Sequence, residues 1–323
     1  MNNVINKILQ NNPVLCAPLC GYTDFAFREI LSLYRPAIVF TEMLSTEGLK
    51  HNLKKTLGLF RESTSDVPLG IQLFGNNPES FKKAASVINP LRFDVIDINS
   101  GCSVKKILKS HSGCALMDSP DLIYRIITAV KSETDKPVTI KMRLGMEKHT
   151  FIDCALAAEE AGAEWVTLHA RTKKQMFSGP VSFEAITTLK KALKIPVIGN
   201  GEIWSTEDAA LMLNTTGCDA VMLARGLVGK PWLVKQCIDY VKTGSYTEPP
   251  RDEMVRIMQK HLQLMVQDRG VEYGIKEFRK HVVKYAKGFE NSRTFRSHAV
   301  TITEPDIMHN HIQRLLIQEE MAV

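Results

Sequence analysis

The sequence predicts a closed α/β barrel of eight parallel strands, followed by a small all-α domain. Between residues 14 and 243, short apolar runs rich in β-branched residues alternate with longer stretches of helical period, as is typical of parallel α/β domains. The alternation includes eight strands, whereas an open doubly wound sheet usually stops at about five or six. After residue 250 the strand pattern ends and only helical periodicity remains. The predicted fold is therefore a (β/α)8 TIM barrel with a C-terminal helical bundle.

The barrel elements follow one another in regular order. The predicted strands cover residues 14–17, 38–41, 69–74, 95–99, 138–142, 165–169, 197–200 and 220–224. The predicted helices cover residues 23–33, 78–87, 120–133, 151–161, 183–193, 205–213 and 232–241. Residues 47–66, between the second and third strands, are longer and less regular than the other connections.

The barrel is predicted to end at residue 243. Residues 244–250 (GSYTEPP) have the composition of a linker, and residues 252–269, 272–287 and 305–320 have helical periodicity. We therefore expect a catalytic barrel domain over residues 1–243 and a helical domain over residues 251–323.

The composition is that of an ordinary globular protein. The chain has 323 residues, 44% hydrophobic and 24% charged, and its longest apolar runs fall well short of the roughly 20 residues of a membrane span. Because the first residues also lack the layout of a signal peptide, we expect a cytoplasmic protein without a membrane partner. The seven cysteines are scattered, without a C-x2-C pair, and the C-x3-C spacing of Cys16 and Cys20 is poor evidence for a metal cluster. We expect reduced thiols and no metal.

Polar or reactive residues come at or just after the carboxyl ends of the predicted strands. In a parallel barrel these ends meet at one face, where the active sites of this fold lie. Because polar loops begin where strands end, about half of the polar residues at strand ends are expected at such positions even if they have no function. The residues are Gln72, Asn99, Cys102, Lys141, Arg143, His169, Arg171, Asn200, Glu202 and Arg225.

Two glycine-containing turns follow the last two predicted strands. Residues 199–202 (GNGE) and 223–226 (LARG) occupy the position where barrels of this kind bind phosphate through backbone N–H groups. This pattern favours a phosphate-bearing ligand over simple tight turns. Lys141, at the end of the fifth strand, has the charge to stabilise a reduced, anionic flavin, although a lysine at a strand end is equally well explained by its exposure to solvent.

Cys102 lies in a loop rich in glycine and serine, residues 99–113. Structural cysteines usually lie inside elements, as Cys154 and Cys218 are predicted to do, so Cys102 is expected to be exposed and mobile. Three lysines of the same loop, 105, 106 and 109, are candidates for lowering its pKa. From the loop alone, a catalytic and a structural thiol remain equally compatible with the sequence.

The strand-end motifs, taken together and in order, resemble those of the tRNA-dihydrouridine synthases, most closely the bacterial B-type. The resemblance covers about residues 13–300. Its motifs are residues 17–24 (APLCGYTD), 27–28 (FR), Gln72, 97–102 (DINSGC), 141–143 (KMR), 169–172 (HART), 198–202 (IGNGE) and 222–225 (MLAR).

The resemblance implies an FMN enzyme that uses NADPH to reduce specific uridines in tRNA to 5,6-dihydrouridine. Hydride would pass from the flavin N5 to uracil C6, and Cys102 would protonate C5. Asn99 is implied to contact both flavin and uracil, and Glu42 and Arg171 to face the target nucleotide. The residues implied to bind FMN are Ala17, Pro18, Leu19, Gln72, Lys141, His169, Asn200, Gly201, Glu202, Ala224 and Arg225.

The loop of Cys102 departs from the family pattern at two positions. Ser103 stands where the family usually has proline, and Cys114 places a second thiol in the loop. Cys114 is expected to be a small buried filler, and neither departure removes the proposed acid.

The C-terminal segment is basic. Residues 276–296 contain seven basic residues (276, 279, 280, 284, 287, 293 and 296) and two acidic ones, in a chain whose net charge is +6. Residues 276, 280, 284 and 287 recur at helical spacing, which predicts one basic face able to follow a phosphate backbone. A solvated helix face is the ordinary explanation of such a run. The resemblance favours tRNA as the partner, with Lys276, Arg279 and Lys280 as contacts and the protein a monomer.

Two other functions remain compatible with the sequence. A small-molecule FMN barrel oxidoreductase, such as a dihydroorotate dehydrogenase or an ene-reductase, would share the barrel but would have no use for the basic C-terminal segment. A non-catalytic RNA-binding relative would account for the altered loop around Ser103.

Overall fold

Eight strand positions form one parallel sheet that closes on itself. The structure, a computed structural model, describes residues 5, 8–9, 12–51, 53, 56, 60–290 and 292–320. The strands are β1 (Val14–Cys16), β2 (Val39–Phe40), β3 (Leu44–Ser45), β4 (Leu69–Phe74), β5 (Val95–Ser100), β6 (Val138–Arg143), β7 (Val166–His169), β8 (Val197–Asn200) and β9 (Ala220–Leu223). Their order in the sheet is β1-β9-β8-β7-β6-β5-β4-β2, and all pairs are parallel.

Two backbone hydrogen bonds join the ends of this sheet. The Cys16 N–H donates to the Ile38 carbonyl (3.0 Å), and the Ala37 N–H donates to the Val14 carbonyl (2.8 Å). These bonds connect the first and second strand positions, so the predicted eight-stranded TIM barrel is confirmed.

The second strand position is interrupted after the predicted strand at residues 38–41, which contains β2, and the second piece, β3, was not predicted. Phe40 pairs with Gly70 and Leu44 pairs with Leu73, so three residues (41–43) lie opposite two (71–72). One extra residue on one strand is a β-bulge, which splits the position into β2 and β3. The Glu42 carboxylate in this bulge accepts a hydrogen bond from the Gly21 N–H, on the loop after β1.

Helices cover the outside of the barrel and form its C-terminal extension. The barrel helices are α1 (Phe25–Ser32), α2 (Thr46–His51), α3 (Pro78–Ile88), α4 (Lys105–Lys109), α5 (Pro120–Lys131), α6 (Phe151–Glu160), α7 (Phe183–Ala192), α8 (Thr206–Thr216) and α9 (Leu233–Thr243). The C-terminal helices are α10 (Arg251–Arg269), α11 (Val271–Tyr285), α12 (Ser292–Ala299) and α13 (Pro305–Glu320). None of the helices described has the length and apolarity to cross a membrane.

Side-chain caps set where several barrel helices begin. Asp24 accepts a hydrogen bond from the Phe27 N–H (3.0 Å), so α1 starts two residues later than predicted. Ser205 and Asp208 form a capping box at α8. Helices α2, α4 and α12 were not predicted because they have only 6, 5 and 8 residues, which is too short for a helical period to be recognised in the sequence.

The lower half of the barrel interior is filled by apolar side chains. Ile38 and Phe40 lie there with Trp165, Ile198 and Met222. Gly70 makes room for the ring of Phe40, because a Cβ at Gly70 would lie 2.3 Å from it.

Replacing Gly70 with alanine is expected to overpack this interior. The added carbon cannot fit beside a fully buried ring, so the free energy of unfolding should fall by about 1–3 kcal/mol. Thermal unfolding of Gly70→Ala measures the loss. Combining it with Phe40→Leu should cost less than the sum of the two single changes, whereas strict additivity would contradict the proposed clash.

The C-terminal helices pack directly against the barrel. On α10, His261 stacks on Phe27 of α1 with ring centroids 5.5 Å apart, and on α11, His281 meets the edge of Tyr22 at 5.4 Å. The two histidine rings are 4.4 Å apart and fully buried. Burial lowers the pKa of His261 to about 3 and holds that of His281 well below its ordinary value, so both are neutral at this junction.

A lower pH is therefore expected to destabilise the contact between the C-terminal helices and the barrel. These histidines have folded pKa values below the unfolded value of about 6.5, so their stability contribution is complete above that pH and is lost as pH falls towards the folded values. For each histidine, the free energy of unfolding falls by at most about 1.4 kcal/mol for each pH unit below the unfolded pKa. Urea unfolding at about pH 7.5 and about pH 5 should show a smaller loss for His281→Phe than for the wild type, while the exposed His309→Gln control should match the wild type. Equal losses in all three proteins would contradict this account.

Candidate active site

Five polar side chains from successive strands line the carboxyl end of the barrel. Asn99 on β5 pairs in register with Lys141 on β6, and His169 on β7 pairs with Asn200 on β8. Gln72 on β4 completes the set. Four of them, all except the partly buried Lys141, are buried, above the apolar filling of the barrel. The structure thus brings together these five of the ten strand-end residues selected from the sequence.

Lys141 on β6 is held by a hydrogen bond to Asn200 on β8, two strands away in the sheet. Its Nζ donates to Asn200 Oδ1 (2.9 Å), and Asn200 Nδ2 donates to the Met222 carbonyl (2.6 Å). Burial and the nearby Arg143 lower the pKa of Lys141 to about 8, and Asp97 partly offsets them. The side chain is therefore mainly cationic at neutral pH and close to its titration range.

His169 is neutral in this arrangement. Burial, and then the charges of Lys141 and Arg143, lower its pKa to about 2. Gly201, with φ +120°, approaches its ring so closely that an added Cβ would lie 3.0 Å from the His169 Cδ2. The turn after β8 therefore requires glycine at this point.

Cys102 is half-buried at the edge of the barrel mouth, which differs from the exposed, mobile position expected. Asn99 Oδ1 accepts hydrogen bonds from the N–H groups of Cys102 (2.9 Å) and Gly101 (3.2 Å). The Cys102 carbonyl accepts from the Cys114 N–H (3.0 Å). Because α4 and a 3-10 helix at Gly113–Asp118 follow, this segment is folded back on itself. Cys114 is buried, in agreement with its expected role as a filler.

The pKa of the Cys102 thiol is raised, whereas the sequence had suggested that loop lysines lower it. Burial is the main cause, and the Val104 N–H, Arg143 and Lys141 lower the pKa only partly. The cations that act on Cys102 come from β6. The thiol is therefore protonated at neutral pH.

Two turns at the opposite side of the mouth pack against each other. Gly226, in the 3-10 turn Arg225–Leu227, lies so near the Ile203 carbonyl that an added Cβ would be 2.5 Å from it. Glu202 has a left-handed backbone, with φ +53°. Ala224 begins the 3-10 turn as its cap residue.

The loop after β1 borders these turns. The Ala17 N–H donates to the Leu223 carbonyl (2.7 Å), and Leu19 donates to Thr23 Oγ1 (3.0 Å). Ala17 is buried, and Pro18 and Leu19 are partly exposed.

Glu202 binds two arginines and a tryptophan beside the two turns. Its carboxylate accepts from Arg171 (2.7 Å), Arg225 (3.3 Å) and the Trp204 Nε1 (3.2 Å). Burial opposes its charge, but the bonds from Arg171 and Trp204 outweigh burial and lower its pKa. Arg225 lies over Phe177 and Trp204, with its guanidinium carbon 4.4 Å and 5.0 Å from their ring centres.

Phe177 and Trp204 were missed in the sequence, although they are 51% and 47% exposed at the rim of the site. An aromatic residue in a loop is usually assigned to the core, so only its position after a strand end signals such a role.

Glu42 and Arg171, predicted to face the target nucleotide, occupy different environments. Arg171 is 1% exposed, and it donates to the Gly179 carbonyl (2.5 Å) as well as to Glu202. Glu42 is partly exposed beside the loop after β1.

The basic residues of α11 differ in their surroundings. Lys276 is exposed, whereas Arg279 donates to the Ile302 carbonyl (2.7 Å). Lys280 pairs with Glu277 (2.5 Å) and lies 5.7 Å from the centre of the Tyr22 ring. The helix ends at Tyr285, so the prediction that residue 287 shares the same helical face was wrong.

Comparison with known proteins decides the family. A family model described as "Dihydrouridine synthase (Dus)" matches residues 15–320. The chain belongs to the dihydrouridine synthase family. It is 35% identical over 298 residues to tRNA-dihydrouridine synthase B of Pasteurella multocida, covering 91% of this chain and 90% of that protein. It is 36% identical over 289 residues to tRNA-dihydrouridine synthase B of Vibrio vulnificus, with 88% and 89% covered. The resemblance to the B-type is therefore confirmed.

The fold of this dihydrouridine synthase family member also occurs in a solved structure. Histamine dehydrogenase from Rhizobium sp. 4-9 superposes with a TM-score of 0.54 at 14% identity, over 78% of this chain. The match spans about half (49%) of that longer chain. At this identity the likeness shows the barrel fold alone.

Within the described residues, no group of three or more His, Cys, Asp or Glu side chains could hold a metal ion.

Proposed function

We propose that this chain reduces uridines in tRNA to 5,6-dihydrouridine, with FMN as bound cofactor, NADPH as reductant and Cys102 as proton donor. Family membership and two relatives called tRNA-dihydrouridine synthase B support the reaction. The observation that carries the proposal is a protonated, half-buried thiol at the rim of a barrel mouth lined with polar side chains.

The residues at the mouth fit FMN. Gln72, Lys141, His169 and Asn200 offer donors, acceptors and one cation to a polar ring system. The phosphate fits the packed turns at Gly201–Glu202 and Ala224–Arg225, with the backbone of residues 17–19 alongside, because Arg225 adds a positive charge there. When bound, FMN supplies hydride from N5 to uracil C6.

The protein side of the reaction is a proton transfer from Cys102 to uracil C5. Since burial keeps the thiol protonated, Cys102 has a proton to give, and Arg143 and Lys141 stabilise the thiolate that remains. Asn99 holds the backbone of Cys102 and faces the same mouth, where it would contact flavin and uracil. Glu42 would border the entering nucleotide, and Arg171 would act through the turn at Glu202 that it holds in place.

The C-terminal helices would bind the tRNA. Residues 251–323 form this proposed RNA-binding unit, residues 1–243 the catalytic unit and residues 244–250 the link between them. Lys276 is free to meet phosphate, Lys280 lies beside Tyr22 at the mouth, and Arg279 fixes α11 to the loop at Ile302. A uridine of a folded tRNA must leave its stack to reach the barrel, and this surface would hold the surrounding backbone.

Purified protein provides the test. It should be yellow, release FMN on denaturation, lose its colour with NADPH without oxygen, and regain it when unmodified tRNA is added, with dihydrouridine formed. A colourless protein that takes up no FMN would contradict the proposal. Bleaching that tRNA does not reverse would instead favour a small-molecule oxidoreductase.

A further inference from the structure

A buried carboxylate lies beneath the candidate active site, two residues before Asn99 on β5. Asp97 is fully buried, and its two oxygens accept hydrogen bonds from different strands. Oδ1 accepts from the Thr139 hydroxyl on β6 (2.7 Å), and Oδ2 accepts from Gln72 Nε2 on β4 (2.7 Å). Burying a carboxylate costs free energy unless its oxygens accept hydrogen bonds, and both oxygens of Asp97 do so.

The hydrogen bonds continue from Asp97 to the backbone of Cys102. Gln72 Oε1 accepts from Asn99 Nδ2 (2.8 Å), and Asn99 Oδ1 accepts from the N–H of Cys102 (2.9 Å). The chain therefore runs without a gap from Thr139 through Asp97, Gln72 and Asn99 to the loop.

Only one orientation of the two amides satisfies this chain. A carboxylate only accepts, so Gln72 must turn its NH2 group to Asp97 and its oxygen to Asn99. Asn99 must then donate to Gln72, which leaves its oxygen for the Cys102 N–H. If Asn99 flipped, its NH2 would face the Cys102 N–H, so two donors would meet. If Gln72 flipped, its oxygen would face the Asp97 carboxylate, so two acceptors would meet.

We propose that Asp97, supported by Thr139, is a positioning residue that fixes the amides of Gln72 and Asn99 and thereby holds the Cys102 loop in place. Its effect on uridine reduction rests on the function proposed above. The effect on the loop does not, because it concerns the position of one thiol.

Alkylation of thiols in the full-length holoprotein tests this directly. Iodoacetamide labelling is followed by mass spectrometry at Cys102 and at Cys20, an exposed thiol that serves as a reference within the same chain. Asp97→Ala removes the acceptor and should raise the Cys102 labelling rate about tenfold, with the Cys20 rate unchanged. Asp97→Asn should stay within about twofold of the wild type, because its oxygen can accept from Gln72 while its NH2 donates to the Thr139 hydroxyl.

Thr139→Val is a second, nearly isosteric variant that leaves the carboxylate in place. It removes one of the two donors to Asp97, so Cys102 labelling should rise about threefold. Unchanged Cys102 labelling in Asp97→Ala or in Thr139→Val would overturn the proposal, as would Asp97→Asn behaving like Asp97→Ala. Because labelling needs no substrate, it gives an answer even if the proposed reaction is wrong.

Discussion

Replacing Cys102 with alanine is expected to lower the rate of dihydrouridine formation by about 10²–10⁴-fold, the usual contribution of a positioned general acid. The half-buried thiol is kept protonated, and Cys114, the second thiol of the same loop, is buried. Flavin binding and reduction by NADPH should persist, because the polar layer from Gln72 to Asn200 is unchanged. Single-turnover assays with pre-reduced protein and unmodified tRNA separate the two half-reactions.

The matched control is Cys20→Ala. Cys20 is exposed on the loop after β1, so its loss should leave both half-reactions within about twofold of the wild type. Dihydrouridine formation at the normal rate in Cys102→Ala would show that another group supplies the proton.

Neutralising three exposed basic residues of the C-terminal segment is expected to weaken tRNA binding by roughly 100-fold at about 0.1 M salt. Lys276, Lys287 and Arg293 are exposed on or after α11, where a phosphate backbone could follow them. Each lost phosphate contact should reduce the log–log salt slope by about 0.7–0.9. Binding of the triple alanine variant is measured over a salt series, and the flavin should still be reduced by NADPH at the wild-type rate.

A triple variant on the outside of the barrel controls for net charge. Lys83, Lys191 and Lys194 are exposed on or beside α3 and α7, and replacing them with alanine removes the same charge. If both triple variants lost affinity equally, tRNA binding would depend on overall charge instead of on the C-terminal helices.

The sequence predicted the fold because the signals that encode it are local. Runs such as residues 95–99 and 138–142 are short, apolar and β-branched, and their alternation with amphipathic helices identifies parallel strands. The bulge at residues 41–43 was missed because it depends on register against β4, which a single strand does not encode.

The chemistry of the site was only partly predictable. Residue type and strand-end position selected Asn99, Lys141 and His169 correctly as neighbours. Burial and pairing are decided by tertiary contacts, so the sequence did not predict that Arg171 is buried against Glu202. The same limit explains why the pKa of Cys102 was expected to fall: three lysines are near it in sequence, but Arg143 and Lys141 are near it in space.

Mapping dihydrouridine in the tRNA of cells that lack this protein tests the central claim most directly. We expect specific dihydrouridines to be missing, to return when the wild-type chain is supplied, and to remain missing with Cys102→Ala. Unchanged dihydrouridine in cells without the protein, or full restoration by Cys102→Ala, would contradict the proposed function or the proposed acid, respectively.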